Sequence, residues 1–407
     1  MSIAIVRVLD YLFGIPICFF LTLLYFLRKL LPARRRAYKK FLIVQLSEMG
    51  TAILAYPALK YIKKKYPGAE LFYMIFEKNT PSIEMLGEIP PRNVLTISDK
   101  SLLLFFRDTV KNIIRMHREG IDVVFDLELF SRASAILSFF SGAPVKVGFY
   151  RYRMEGLYRG HFFTHKIQYN FQQHLSKTLL SFAKVLDEKE KKRPTMDAKI
   201  NDDEIFAKRY ESPPKDIEAI WQKLQKINPD VGPQNRLVIL NPSAGLLPIR
   251  AWPIDNYVEL AGKILEDSNN FIILTGGQND GAITGAIASA LKNGRCLDLT
   301  CKTTFRELVD LYNVADILVT NDSGPAHFAS LTPIKNFVFF GPETPVLYRP
   351  LGEHVKILYS DFPCSPCITA FNHRYTACDD NKCVKTISVD SVYSMVKAEL
   401  SAKEHYA

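Results

Sequence analysis

The residues whose chemistry is easiest to read lie in Ile317–Ser330, ILVTNDSGPAHFAS, where an apolar run breaks at Asn, Asp, Ser and Gly and resumes with small and apolar residues. A run of that length is a buried strand. A helix restarting directly after it offers backbone N–H groups and a positive dipole end to an anion. Ser323 and Gly324 would present those N–H groups to a diphosphate, and His327 would point back from the first turn. Pro325 suits that turn, where no N–H is needed. Asp322 has two readings: it caps the helix, as Asp and Ser commonly do, or it holds a sugar hydroxyl.

Three further groups have suggestive types and spacing. Asp126 and Glu128, in FDLELFSR, follow an apolar run and sit two apart, which puts both on one face of an extended chain. A carboxylate there can serve as a general base, or Asp126 can cap the next helix. The stretch 148–174, GFYRYRMEGLYRGHFFTHKIQYNFQQH at its informative positions, is rich in Arg, Tyr and His. Arg151, Arg153, Arg159 and His174, joined by Arg132, would receive a phosphorylated or acidic acceptor, or would pair with Glu155 and other acids. Cys364, Cys367, Cys378 and Cys383 read C-x2-C-x10-C-x4-C. That pairing allows a structural metal or free thiols; a reducing compartment disfavours disulfides.

The elements that position these residues alternate. Phe41–Leu46, Glu70–Phe76, Asp122–Phe125 and Val145–Phe149 read as strands, with helices at Ala52–Lys65, Leu102–Glu119 and Arg132–Phe140. A second series has strands at Arg236–Leu240, Phe271–Leu274, Leu297–Leu299 and Ile317–Val319, and helices at Ile254–Asp267, Gly281–Leu291 and Thr304–Ala315. Repeated strand–helix–strand units build parallel sheets. The charged, proline-containing stretch 187–216 reads as a connector. The expected organisation is an anchor over 1–40 and two α/β domains, over 41–215 and 216–407. Ligands of open α/β sheets sit at the carboxyl ends of strands, where loops Asn241–Gly245, Thr275–Asp280 and Thr320–Pro325 fall.

The chain has 407 residues, 48% of them hydrophobic, and a formal charge of +10. Residues 28–40, RKLLPARRRAYKK, hold seven of the cations and no acid, which leaves +3 elsewhere. Basicity confined to one tail argues against nucleic acid, whose binders spread Lys and Arg over a folded face. Just before it, Tyr11–Leu27, YLFGIPICFFLTLLYFL, carries no charge. It reads as a short membrane span with the chain that follows on the cytoplasmic side, where cations collect. Gly14 and Pro16 leave a re-entrant or interfacial anchor open as the other reading. The cations would hold anionic lipid head groups.

Four stretches in order, LSEMGTAILAYPALKYIKKKYP, NPSAG with RAWP, NDSGPAHFAS and FFGPETPVLYRP, resemble the bacterial family-9 glycosyltransferases, the heptosyltransferase family of lipopolysaccharide core synthesis. The resemblance runs from about residue 40 to the C-terminus. It implies a GT-B fold, with two Rossmann-like domains facing across a cleft. It also implies an inverting, metal-independent transfer of a sugar, typically heptose from ADP-heptose, to a lipid-linked acceptor, with no cofactor needed. Carried over position by position, Asp322, Ser323, Gly324 and His327 match the donor loop and Ser243 a hydroxyl residue at the diphosphate. Asp280 lies near an acidic position associated with the ribose. Arg250 stands where members commonly have Lys beside the donor phosphates; Arg keeps the charge and adds a planar fork.

One departure concerns the base. Members usually carry Asp after the Gly of the first loop, and here Gly50 is followed by Thr51. A Thr hydroxyl is no general base near neutral pH. Thr51 is then an acceptor-side residue, Glu48 in the same turn is the first substitute for the base, and Glu128 or Asp126 the second. The expected protein is a membrane-anchored transferase at the cytoplasmic face of the inner membrane. The alternative is a catalytically altered GT-B protein serving an envelope glycan assembly complex.

Overall fold

The computed structural model describes residues 3–28, 37–129, 131–150, 157–188, 199–245, 247–370, 372 and 374–402. The chain divides into two compact units, Met1–Phe206 and Ala207–Ala407.

The first unit runs α1 (Ile3–Arg28), β1 (Lys40–Val44), α2 (Met49–Leu54), α3 (Tyr56–Lys65), β2 (Glu70–Phe76), α4 (Thr80–Leu86), β3 (Val94–Ile97), α5 (Leu102–Glu119), β4 (Val123–Asp126), α6 (Arg132–Phe140), β5 (Val145–Phe149), β6 (His165–Ile167) and α7 (Leu175–Lys184). Its six strands pair in the order β3-β2-β1-β4-β5-β6, and every pair is parallel. The order reverses between β1 and β4, so the loops after these two strands flank the crevice where an open sheet takes its ligand. The helix expected over Ala52–Lys65 is broken at Ala55, which ends α2 and precedes α3. Pro57 in the first turn of α3 supplies no N–H to a continuous ladder.

The second unit runs α8 (Pro214–Gln225), β7 (Arg236–Asn241), α9 (Ile254–Leu265), β8 (Asn270–Leu274), α10 (Gly281–Leu291), β9 (Cys296–Asp298), α11 (Phe305–Val314), β10 (Ile317–Asn321), α12 (Gly324–Ala329), β11 (Lys335–Phe340), α13 (Pro345–Tyr348), β12 (Val355–Tyr359), α14 (Lys382–Lys385) and α15 (Val389–Ala402). The strand order is β12-β11-β10-β7-β8-β9, again parallel throughout. Its reversal falls between β7 and β10, beside Asn241–Gly245 and Thr320–Pro325.

Strands covered by helices on both faces should read as unbroken apolar runs, and they do. Leu237–Leu240 and Phe271–Leu274 are buried at every position. Trp252 is buried and stacks on Phe339 with ring centroids 4.4 Å apart, and α9 and α15 close over the same core.

The N-terminal helix does not stand apart from the first unit. Cys18, Leu21 and Thr22 are buried, and Leu21 packs with Ala135, Phe162 and Phe163. The Asp10 carboxylate accepts hydrogen bonds from the N–H groups of Arg132 and Ala133, at 3.0 and 3.3 Å, and from Arg132 Nη1 at 2.7 Å. It thereby neutralises a buried guanidinium and occupies the positive end of α6.

Candidate active site

In the first unit the loop after β1 is held from three sides. Tyr73 donates to Gln45 Oε1 at 2.6 Å, Gln45 donates to the Glu48 carbonyl, and Asn79 donates to the Leu46 and Ser47 carbonyls at 3.0 and 3.2 Å. Glu128, two residues beyond β4, reaches across the reversal point. Its Oε1 accepts from Leu46 N–H (2.6 Å), Ser47 N–H (3.0 Å) and Ser47 Oγ (3.1 Å). Glu48 stands at the start of α2, and Thr51 Oγ1 donates to its Oε2 at 2.8 Å. Burial and the nearby charge of Glu48 push the Glu128 carboxyl up to about 6, against the lowering effect of the two backbone donors. Two half-buried carboxylates so coupled hold one proton between them more readily than two neutral-pH carboxylates would. Glu48, Thr51 and Glu128 are therefore brought together, and the arrangement can accept a proton near neutral pH.

Asp126 is not part of this group. It is fully buried, ion-paired with Arg159 Nη2 and hydrogen-bonded to Ser134 Oγ at 3.2 Å. Burial raises its carboxyl, and Arg159 opposes that rise. Arg159 Nε also donates to the Ser131 carbonyl at 2.9 Å, so the pair ties β4 to the start of α6. A carboxylate with no exposed surface is a support for the site and not a base for a substrate hydroxyl.

The expected acceptor patch divides. Arg132 is buried and spent on Asp10, with Nε donating to the Tyr158 carbonyl at 2.8 Å. Arg159 is spent on Asp126. His174 is buried at the start of α7, where Nδ1 accepts from Ser176 N–H at 3.2 Å. None of the three offers its charge to a soluble ligand in this arrangement. Arg151 and Arg153 lie outside the described residues.

In the second unit the loops at the reversal point are joined by two asparagines. Asn321 Oδ1 accepts from Trp252 N–H (2.9 Å) and Tyr257 Oη (3.3 Å), while its Nδ2 donates to the Pro242 and Ser243 carbonyls at 2.9 and 3.3 Å. Asn241 Nδ2 donates to Thr275, 3.1 Å from both its carbonyl and its Oγ1. Ser243 accepts from Gly245 N–H at 3.3 Å. Asp280 Oδ2 accepts from Gly277 N–H at 2.8 Å, so its carboxylate closes its own loop.

Ser323 precedes α12 in extended backbone, without a side-chain cap, and Gly324 and Pro325 open the helix. Asp322 and His327 are both buried. Arg250 follows the Asn241–Gly245 loop and points at this strand end. Its Nη1 donates to the Asp322 carbonyl at 3.2 Å and lies 3.4 Å from Asp322 Oδ2. Its Nη2 donates to Glu343 Oε2 at 2.6 Å. Glu343 is 1% exposed, and Arg374 Nε lies 3.6 Å from the same oxygen. Burial pushes the Glu343 carboxyl up to about 7, against the pull of Arg374 and Arg250. Asp322, Ser323, Gly324 and Arg250 thus form one cluster, with Ser243 tied to it through Asn321. Asp280 serves the neighbouring loop. The sequence reading passed over Glu343, although an acid directly after the apolar run FVFFGP was the signal for it.

Among the described residues no group of three or more His, Cys, Asp or Glu is arranged to hold a metal ion. The structural metal expected at Cys364, Cys367, Cys378 and Cys383 is therefore unsupported. Cys383 is buried, Cys364 is exposed, and Cys378 Sγ donates to the Asp380 carbonyl at 3.2 Å.

Two units, each a fully parallel sheet with polar loops at its reversal point, define a GT-B glycosyltransferase architecture. Over 90% of its length this chain superposes on 99% of the solved E. coli ADP-heptose lipopolysaccharide heptosyltransferase II, with a TM-score of 0.67 at 18% identity. Residues 113–375 match the family described as glycosyltransferase family 9 (heptosyltransferase), and the chain belongs to that family. Lipooligosaccharide heptosyltransferase 2 of Campylobacter jejuni is 26% identical over 179 residues, 43% of this chain and 54% of that protein. The chain therefore spans about half the length of that relative. Lipopolysaccharide heptosyltransferase 3 of Escherichia coli is 23% identical over 313 residues, 75% of this chain and 83% of that protein.

Proposed function

We propose that the chain is an inverting, metal-independent glycosyltransferase. It moves a heptose-type sugar from a nucleotide diphosphate donor to a lipid-linked, lipopolysaccharide-type acceptor at the cytoplasmic face of the inner membrane. ADP-heptose is the donor named for the E. coli structure, and the relatives are named for lipopolysaccharide and lipooligosaccharide. The observation that carries the reading is the carboxylate pair of Glu48 and Glu128 at the reversal point of the first sheet, matched by the Arg250 cluster at that of the second.

Glu48 takes the proton of the acceptor hydroxyl. The freed oxygen attacks the anomeric carbon as the bond to the diphosphate breaks, and the configuration at that carbon inverts. Glu128 is the positioning partner: its Oε1 is filled by three donors of the Glu48 loop. Thr51 orients Glu48, which restores with two residues what the family usually does with one Asp. Arg250 and the amides of Ser323 and Gly324 take up the charge of the departing diphosphate, the term that contributes most to such reactions. Incubation with ADP-heptose and a core-lipid acceptor tests the reading. Wild-type turnover that falls by about 10²-fold or more in Glu48→Gln supports it; full turnover in Glu48→Gln sinks the assignment of the base.

The catalytically altered alternative rests on Thr51 in place of the family's Asp. Absence of turnover with every nucleotide-heptose, combined with retained donor binding, would favour it.

A further inference from the structure

The outer faces of α1 and α5 are apolar, exposed and borne by one layer of the first unit. Helix α6 packs against α1 through Ala135 and Phe139 and against α5 through Leu137 and Met116. Helix α6 therefore links the other two. The buried side of α1 runs from Asp10 through Gly14, Cys18, Leu21 and Thr22. A Cβ on Gly14 would come within 2.7 Å of Arg132 Cδ, and Thr22 Oγ1 accepts from His161 N–H at 3.0 Å. About 18 Å of helix is fixed along the unit at 1.5 Å per residue. A helix packed lengthwise on a folded unit cannot be ringed by lipid on all sides, as an isolated upright span is. Its other side carries Leu12, Phe13, Phe20, Leu23 and Leu27, all exposed.

Helix α5, which packs on α6 as α1 does, bears a second exposed apolar stripe. Leu103, Phe106, Val110 and Ile114 recur every three or four residues, which places them on one side of the helix. Leu103 is 80% and Phe106 62% exposed. Exposed apolar side chains gathered on one side of a helix mark an interaction surface. Beside the stripe lies a cavity of about 400 Å³ whose charged lining includes Lys100, Arg107, Lys111 and Arg115 against Glu77 and Asp108. Apolar side chains rimmed by an excess of cations fit the headgroup–acyl boundary of an anionic bilayer.

We propose that α1 and α5 form a single in-plane membrane-insertion surface. The α5 stripe enters the lipid beside α1, and the Lys100–Lys111 rim engages anionic head groups. The inference rests on the membrane location proposed above, and its readout is independent of sugar transfer, so either can fail alone.

The test uses the full chain in phosphatidylcholine vesicles with and without phosphatidylglycerol. A genetically encoded environment-sensitive fluorescent amino acid replaces Phe106, Leu12 or Leu24 in turn. All three probes should shift to the blue and be quenched by lipids carrying a nitroxide high on the acyl chain. Phosphatidylglycerol should strengthen the vesicle binding read at Phe106 roughly thirtyfold, from two cations at about 1 kcal/mol each. Leu103→Asp with Val110→Asp should abolish quenching at Phe106 while sparing Leu12; both are exposed, and an unchanged melting temperature verifies the fold. Three results would overturn the proposal. One is a Phe106 probe that stays in water while Leu12 and Leu24 are quenched. Another is quenching along α1 that deepens to the bilayer centre, as in a spanning helix. The third is a Phe106 shift that depends on protein concentration without lipid, which would mark a contact between two copies of the chain.

Discussion

Arg250 donates to Glu343 at 2.6 Å while its other terminal nitrogen lies 3.4 Å from Asp322. One guanidinium thus bridges two buried acids at the strand ends to which the proposed function assigns the donor phosphates. Glu343 is the acid whose protonation matters for stability. Its folded value, about 7, lies above the ordinary 4.5, so the folded state keeps a proton that the unfolded chain releases. That contribution is fully present below pH 4.5 and is lost as pH rises through 7. Glu343→Gln should flatten the dependence of melting temperature on pH across this window, by at most about 3 kcal/mol. Thermal melts at several pH values check it.

Donor use should depend on Arg250 more than on charge alone. Arg250→Ala should lower kcat/KM for the nucleotide sugar by about 10²–10³-fold, the usual cost of losing one stabiliser of developing charge. Arg250→Lys should recover only part of this, because a point charge cannot bridge Asp322 and Glu343 as a fork does. Steady-state kinetics with varied donor measure both.

Protonation of Glu128, which burial and the charge of Glu48 push up to about 6, should set the acid limb of the pH–rate profile. Below it the pair gains a proton and base catalysis fades. Glu128→Gln removes the neighbouring charge and should move that limb to lower pH. Glu48→Gln should cost about 10²–10⁴ in kcat. Rate profiles of the two variants separate a base from a positioning residue.

Arg159→Ala leaves Asp126 buried without its cation and should destabilise the first unit by about 3–5 kcal/mol. Joint replacement of Arg159 and Asp126 by Met and Leu should cost much less, since neither charge is then stranded. Denaturant titration compares them.

On the proposed mechanism, in which Arg250 and the start of α12 take up the charge of the leaving diphosphate, a chelator should leave the transfer rate unchanged. A rate that falls on chelation and returns with a divalent ion would contradict this.

The loops of the second unit were legible because a buried strand announces its end: ILVT gives way to NDSG, and no apolar packing explains that change. Parallel pairing followed from strand–helix alternation, while the strand order that sets the reversal points did not. Long-range partners were not legible. Arg132 reads as a ligand for anions until Asp10, 122 residues away, is found beside it. Arg159 does so until it meets Asp126. The apolar length of α1 suggested a span; only the contacts of Gly14, Cys18 and Thr22 reveal which side is spoken for. Glu343 escaped notice because one acid after an apolar run is usually a solvated turn residue.

The Asp10–Arg132 attachment means that the first helix is no leash. An enzyme on a slack tether sweeps a dome above its membrane and samples substrates at many elevations. On the membrane surface proposed above, the first unit would instead ride at one altitude and tilt, set by the packing of Asp10 on Arg132. Such a mount would act as a gauge, admitting an acceptor whose growing sugar end stands at the height of Glu48 and passing over a shorter or longer one.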